Sequence, residues 1–123
     1  MANERPRVLL VDPDHEHRHR VTTVLAIAGY HVVEVASGRM LLEAIERSRV
    51  DVPVVIVAGA VTDGLDLSHA LACGSGTAPV VALPRGRLAA RRITAGPIIE
   101  SSTAPDELVH TVDHAFAAID SAA

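Results

Sequence analysis

Tryptophan and lysine are absent from this 123-residue chain, and cysteine, tyrosine and phenylalanine occur once each. Aromatics make up 2% of the residues against 49% apolar residues in all, so a core must be built from valine, leucine, isoleucine and alanine. The lone cysteine, Cys73, excludes an internal disulfide and fits a reducing compartment. No apolar run approaches the roughly 20 residues that span a bilayer. The N-terminal MANERPRVLLV has too short an apolar stretch for a signal peptide, so a cytoplasmic protein is expected. The net charge of −4 gives no pull toward nucleic acid or an anionic membrane. All eleven basic residues are arginine, which bears on the chemistry below. The length fits one domain over 1–123, with its core over about 6–120.

What is present alternates between apolar runs and helical patterns. Val8–Val11 is a short apolar run ending in Asp12-Pro13-Asp14. A helix-period segment follows, with Val21, Val24, Leu25 and Ala28 on one face and Gly29 closing it. His31–Val35 is short and rich in valine. Ser37 is placed to cap a helix whose apolar stripe is Met40, Leu41, Ala44 and Ile45. Val52–Ala58 reads as a strand, Asp63–Cys73 as a helix, and CGSGTAP over 73–79 as the turn after it. Pro79–Leu83 is again a strand, Gly86–Ile93 a short helix and Pro97–Glu100 a last short strand. Asp106–Ile119 is a final helix with Leu108, Val112, Ala115, Phe116 and Ile119 inward.

Strands that are continuously apolar are buried on both faces, and their alternation with helices predicts an α/β fold. A three-layer α/β/α sandwich around a five-stranded parallel sheet with right-handed crossovers is expected. In such sheets working residues gather at the carboxyl ends of the strands. Those ends bring together Asp12–Asp14, Ile56–Ala60, Pro84–Gly86 and Ser101–Thr103.

The stretch VLLVDPDHEHRHRVTTVLAIAGYHVVEVASG resembles the opening of the response-regulator receiver domains of two-component signalling. Arg18, Val21, Leu25, Gly29 and Tyr30 fall at matching places. The resemblance continues through Asp51, Asp63-Gly64, Pro79-Val80-Val81 and Pro105-Asp106-Glu107-Leu108, and so covers nearly the whole chain. It implies a flavodoxin-like (βα)5 fold with strand order 2-1-3-4-5. It also implies a chemistry: an aspartate ending the third strand attacks a phosphoryl group. An acidic pair after the first strand holds Mg²⁺. A hydroxyl after the fourth strand and a lysine after the fifth contact the phosphoryl oxygens.

The chain departs from that pattern at almost every working position. Counting from Asp51 forward and from Asp63 backward, the phosphoacceptor position falls on Ile56. Pro13 replaces the second acid of the pair, beside Asp12. Pro84 replaces the hydroxyl, Ser101 the lysine, and Ile98 the switch aromatic of the fifth strand. With no lysine in the chain, no realignment restores one, and arginine's planar fork does not mimic a compact ammonium. Mg²⁺ binding is expected to be weak or absent, with Asp12 and Asp14 its only weak candidates, and no cofactor is expected. Asp12 is also placed to cap the first helix, with Pro13 in its first turn.

Two further clusters stand out. In HEHRHR, His15 and His19 share a helix face, and His110 and His114 repeat the spacing, as Zn²⁺ or Ni²⁺ ligands can. No cysteine or carboxylate completes a motif, so a solvated face is the expected reading. RGRLAARR over 85–92 gathers Arg85, Arg87, Arg91 and Arg92.

The expected function is that of an atypical receiver without its phosphoacceptor, not an enzyme. It would act as a phosphorylation-independent protein–protein interaction module in two-component-like signal transduction. Its expected partner surface is Arg87, Arg91, Arg92, Ile98, Asp106 and His110, which suits an acidic signalling protein. A homodimer through the face made by the 86–93 helix, the last strand and the last helix is a related expectation. Two alternatives stay open: a receiver phosphorylated at a displaced acid (Asp12, Asp14 or Asp63), and a small-molecule sensor using the emptied site near Ile56, Pro84 and Ser101.

Overall fold

The computed structural model describes residues 6–47, 54–60, 79–94 and 97–122, with side chains as far as Ala118. The expected helix over 63–73, Cys73, the 73–79 turn, the anchors Asp51 and Asp63, and the side chain of Ile119 lie outside the described residues.

Five parallel strands form one sheet in the order β2-β1-β3-β4-β5. They are β1 (Arg7–Val11), β2 (His31–Val35), β3 (Val54–Val57), β4 (Val80–Ala82) and β5 (Ile98–Glu100). Four α-helices are described: α1 (His15–Ile27), α2 (Gly38–Arg47), α3 (Arg87–Ile93) and α4 (Pro105–Ala122). A 3₁₀ turn, Pro84–Gly86, leads into α3. This is the flavodoxin-like, three-layer arrangement expected from the sequence.

Alternate strand residues feed two cores. Leu9, Val11, Val55, Val57, Val80 and Ala82 meet Leu41 and Ile45 of α2 and Ala89, Ala90 and Ile93 of α3. Val8, Leu10, Val54, Ile56, Val81 and Leu83 meet Val21 and Leu25 of α1 and Leu108, Val112 and Ala115 of α4. Each valine, leucine or isoleucine among them stabilises the fold by roughly 1.5–3 kcal/mol on burial. The sparse aromatics cluster here as well. Tyr30 stacks on Phe116 at 5.4 Å between ring centroids, and its hydroxyl donates to Asp113.

Burial, then the Asp113 bond, raise the Tyr30 pKa above its ordinary value of 10.0. The unfolded chain therefore loses the phenolic proton first as pH rises. The stabilisation is complete below the ordinary tyrosine range and is lost above it. Alkaline denaturation of the wild type should coincide with the phenolate absorbance of this single tyrosine, and Tyr30→Phe should move the alkaline limit upward.

Ser37 caps α2 as expected, its hydroxyl accepting the Met40 N–H at 3.2 Å. α1 closes on Gly29 at φ +100°, a left-handed conformation that glycine adopts without a Cβ penalty. Three expectations fail at element edges. Met40 is 45% exposed and Ala28 is exposed, since each lies at a helix end where the apolar stripe turns away from the sheet. The cap of α1 is Asp14, whose side chain accepts the His17 N–H, and not Asp12, which is buried. Pro13 accordingly precedes the cap.

Candidate functional site

The ladder runs one residue past β1, β3, β4 and β5. Asp12 N–H donates to Val35 O, Ala58 N–H to Val11 O, Leu83 N–H to Val57 O and Ser101 N–H to Ala82 O. Asp12, Ala58, Leu83 and Ser101 thus form the rim at the carboxyl end of the sheet, and all four are buried. Ile56 sits below that rim, paired with Leu10 and fully buried on the α1–α4 side of the sheet. Val54, Val55, Ile56, Val57 and Ala58 carry no carboxylate, so displacing the count by up to two residues finds no acid on this strand.

The rim is closed by backbone. A Cβ on Gly86 would lie 2.1 Å from Val57 O, so the Pro84–Gly86 turn rests directly on the end of β3. A Cβ on Gly59 would lie 2.3 Å from Asp12 Oδ1. The Ser101 hydroxyl turns to its neighbour, donating to Ser102 O at 2.9 Å. Pro84 is exposed at the start of its turn. Among the described residues, Ile56 and Ser101 are buried at this end of the sheet, and Pro84 lines a cleft on its outer side.

Asp12 is the one carboxylate in the rim, and its oxygens are engaged by its own chain. Oδ1 accepts the Asp14 N–H at 2.9 Å, and Oδ2 lies 2.5 Å from His17 Nδ1. A carboxylate only accepts, so Nδ1 carries the proton of that bond. Arg18 braces the same corner. It donates to the Asp12 carbonyl at 2.7 Å and to Glu34 of β2 at 3.0 Å, which accounts for an arginine at this place. Asp14 is exposed at the mouth. The His17 N–H bond holds its carboxyl below the ordinary value of 3.8, and Arg85 adds to this from 3.4 Å.

His17 is the residue that the sequence reading passed over. The i, i+4 spacing drew attention to His15 and His19, and both are exposed. His17 lies four and eight residues before Val21 and Leu25, the buried residues of α1, and this spacing was the available signal. His110 and His114 are exposed, and among the described residues no three His, Cys, Asp or Glu side chains converge on a common point.

The arginines do come together. Arg85, Arg87, Arg91 and Arg92 line a cleft of about 430 Å³ with Ala60, Pro84, Leu88 and Ala89. Leu88 is 71% exposed there. Arg87 reaches Glu100 of β5 at 3.0 Å, an exposed pair worth roughly 0–1 kcal/mol. Ile98 packs partly against the Leu9–Val11 core. Asp106 and His110 are exposed on α4. Those three do not line the arginine cleft. No helix among the described residues is long and apolar enough to cross a membrane.

The family described as flagellar regulatory protein FleQ matches residues 7–101. No curated protein matches the chain in sequence. Solved structures share its fold. A response regulator receiver protein from Sinorhizobium medicae WSM419 superposes with a TM-score of 0.68 at 17% identity, covering 94% of this chain and 98% of that one. A response regulator receiver domain protein from Clostridium thermocellum gives 0.72 at 13% identity, covering 96% and 99%. The signal receiver domain of a modulated diguanylate cyclase from Desulfovibrio desulfuricans G20 gives 0.71 at 19% identity, covering 98% and 100%.

Proposed function

This chain belongs to the family of the flagellar regulatory protein FleQ, and on that premise we propose that it is an atypical receiver domain that recognises a partner without taking up a phosphoryl group. The observation that carries this reading is the rim itself. Its third strand ends in Ile56, Val57 and Ala58, and its one buried acid, Asp12, is bonded to His17 and to the Asp14 backbone. Among the described residues of that rim, no carboxylate is left unengaged to attack phosphorus. A receiver that keeps its fold and loses that chemistry retains its surface as its means of acting. The domain is neither an enzyme nor dependent on a cofactor in this reading, and Mg²⁺ binds weakly or not at all. In this reading the domain works in flagellar regulation, which the family match supports, and it does so in the cytoplasm.

The partner surface centres on α3. Four arginines in one cleft around an exposed leucine suit an acidic signalling protein with an apolar anchor, the pattern of a charged rim around a greasy contact. The sequence reading added Ile98, Asp106 and His110 to this surface. The structure favours Arg87, Arg91 and Arg92 as its centre. The electrostatic part should respond to salt.

Tagged wild type and an Arg87→Ala/Arg91→Ala variant, compared in a pull-down from cells that express flagellar regulators, test this surface. Both variant positions are exposed, so the fold should persist. Recovery of the same partner at undiminished yield by the variant would reject α3 as the contact. Recovery lost by the variant, and lost by wild type at high salt, is the expected result.

A further inference from the structure

We propose that the cleft between α1 and the start of α4 binds a small organic carboxylate with an apolar tail. The cleft has a volume of about 430 Å³, within the roughly 300–1,000 Å³ typical of small-molecule sites. Its apolar wall is Val21, Val24, Pro105 and Leu108, and its polar side is His17, Arg20 and Thr103. It lies apart from the arginine cleft on α3, and it stands whether or not that surface contacts a partner.

His17 makes this more than a surface dent. Its Nδ1 is committed to Asp12, which is 1% exposed and pinned through its other oxygen by the Asp14 N–H. The imidazole is thereby fixed in orientation, as a buried carboxylate fixes a histidine in many working sites. The remaining ring nitrogen, Nε2, lies on the other side of the ring from Nδ1 and is the polar atom that His17 can offer to an occupant of the cleft. Arg20 is exposed and makes no ion pair among the described residues, so its guanidinium fork is available for bidentate capture of a carboxylate.

None of the nearby acids is in the lining of the cleft or pairs with Arg20 among the described residues. Asp12 is covered by His17, and Glu107 accepts from the Ser102 hydroxyl. Arg20 is the one formally charged residue in the lining, while Val24 and Leu108 offer apolar contact to a hydrocarbon. A bare inorganic anion leaves the apolar wall wet, and an uncharged alcohol leaves Arg20 unpaired. The shared occupant chemistry is therefore a carboxylate on a short apolar chain.

NMR titration of the full chain with hexanoate, hexanol and inorganic phosphate decides it. Hexanoate should give saturable shifts at the His17 ring and at the Val24 and Leu108 methyls, and bind at least roughly tenfold tighter than either control. Arg20→Ala should stay folded and lose about tenfold in hexanoate affinity, the equivalent of one charge-assisted hydrogen bond. His17→Gln adds a second probe. Because removing the imidazole also uncovers Asp12, the Arg20 variant is the deciding one. Equal binding of hexanol and hexanoate, hexanoate binding unchanged in Arg20→Ala, or no saturable shift with hexanoate would each overturn the proposal.

Discussion

Replacement of Ile56 by aspartate is expected to unfold the domain instead of arming it. Restoring the missing acid by alignment looks attractive, because Ile56 is where the count from Asp51 and from Asp63 lands. The structure argues otherwise. Ile56 is fully buried and paired with Leu10, among Val8, Val54, Val81, Leu108 and Val112. Removing such a side chain costs about 2–5 kcal/mol through lost burial and the space left behind. Placing a carboxyl group there adds the cost of burying it unpaired. The sum is about 4–12 kcal/mol, comparable with the whole stability of a domain of this size. Urea titration followed by circular dichroism should show no cooperative transition for Ile56→Asp. Ile56→Val, which keeps the shape, should cost only about 0.5–1.5 kcal/mol. A folded Ile56→Asp protein that gained a phosphoryl group from acetyl phosphate and Mg²⁺ would show that Ile56 faces a latent acid pocket.

The second large effect belongs to His17. Its alanine variant leaves the Asp12 carboxylate buried with the Asp14 N–H as its remaining side-chain-to-chain bond and the Arg18 brace beside it. Leaving a buried acceptor without its donor costs about 1–3 kcal/mol, and more where the acceptor is a carboxylate. The His17 side chain is 13% exposed, so water entering the gap offsets part of this, and a loss of about 3 kcal/mol is expected. A double-mutant cycle with Asp12→Asn isolates the pair. Denaturant midpoints of the two single variants and the double should give a coupling of at least about 1 kcal/mol. Additive losses would mean that His17 acts through packing alone. Mg²⁺ should not rescue His17→Ala, because the Pro13 side chain supplies no second carboxylate beside Asp12.

These two residues also mark how far the sequence could be read. The order of elements was legible because the strands are unbroken apolar runs and the helices keep their stripes; β2 falls on His31–Val35 as expected. The two-sided core followed from the same pattern, whereas the strand order came from the resemblance to receiver domains. Element ends were less legible. Asp12 and Asp14 are both good cap residues two positions apart, and only the burial of Asp12 by the fold decides that Asp14 does the capping. Met40 matched the helical period, yet helix position left it in solvent.

At the candidate site, a third strand without a carboxylate could be read from the sequence alone. The contact that engages Asp12 could not. His17 meets Asp12 across five residues and a turn whose course is set by Pro13, so no local spacing rule announces the contact. The glycines tell a similar story. Gly86 resembles an ordinary loop residue until the backbone of Val57 is found within 2.1 Å of where its Cβ would be. The arginines were visible as a cluster, but the exposed Leu88 among them was not, because a leucine between Arg87 and Ala89 reads equally well as core.

The most direct measurement is an intact-mass comparison of the purified chain before and after incubation with acetyl phosphate and Mg²⁺, with peptide mapping of any modified species. The expected result is an unchanged mass, together with partner recovery that does not depend on the treatment. Stoichiometric gain of one phosphoryl group, mapped to Asp12, Asp14 or Asp63, would contradict it and return the domain to the phosphorylated receivers.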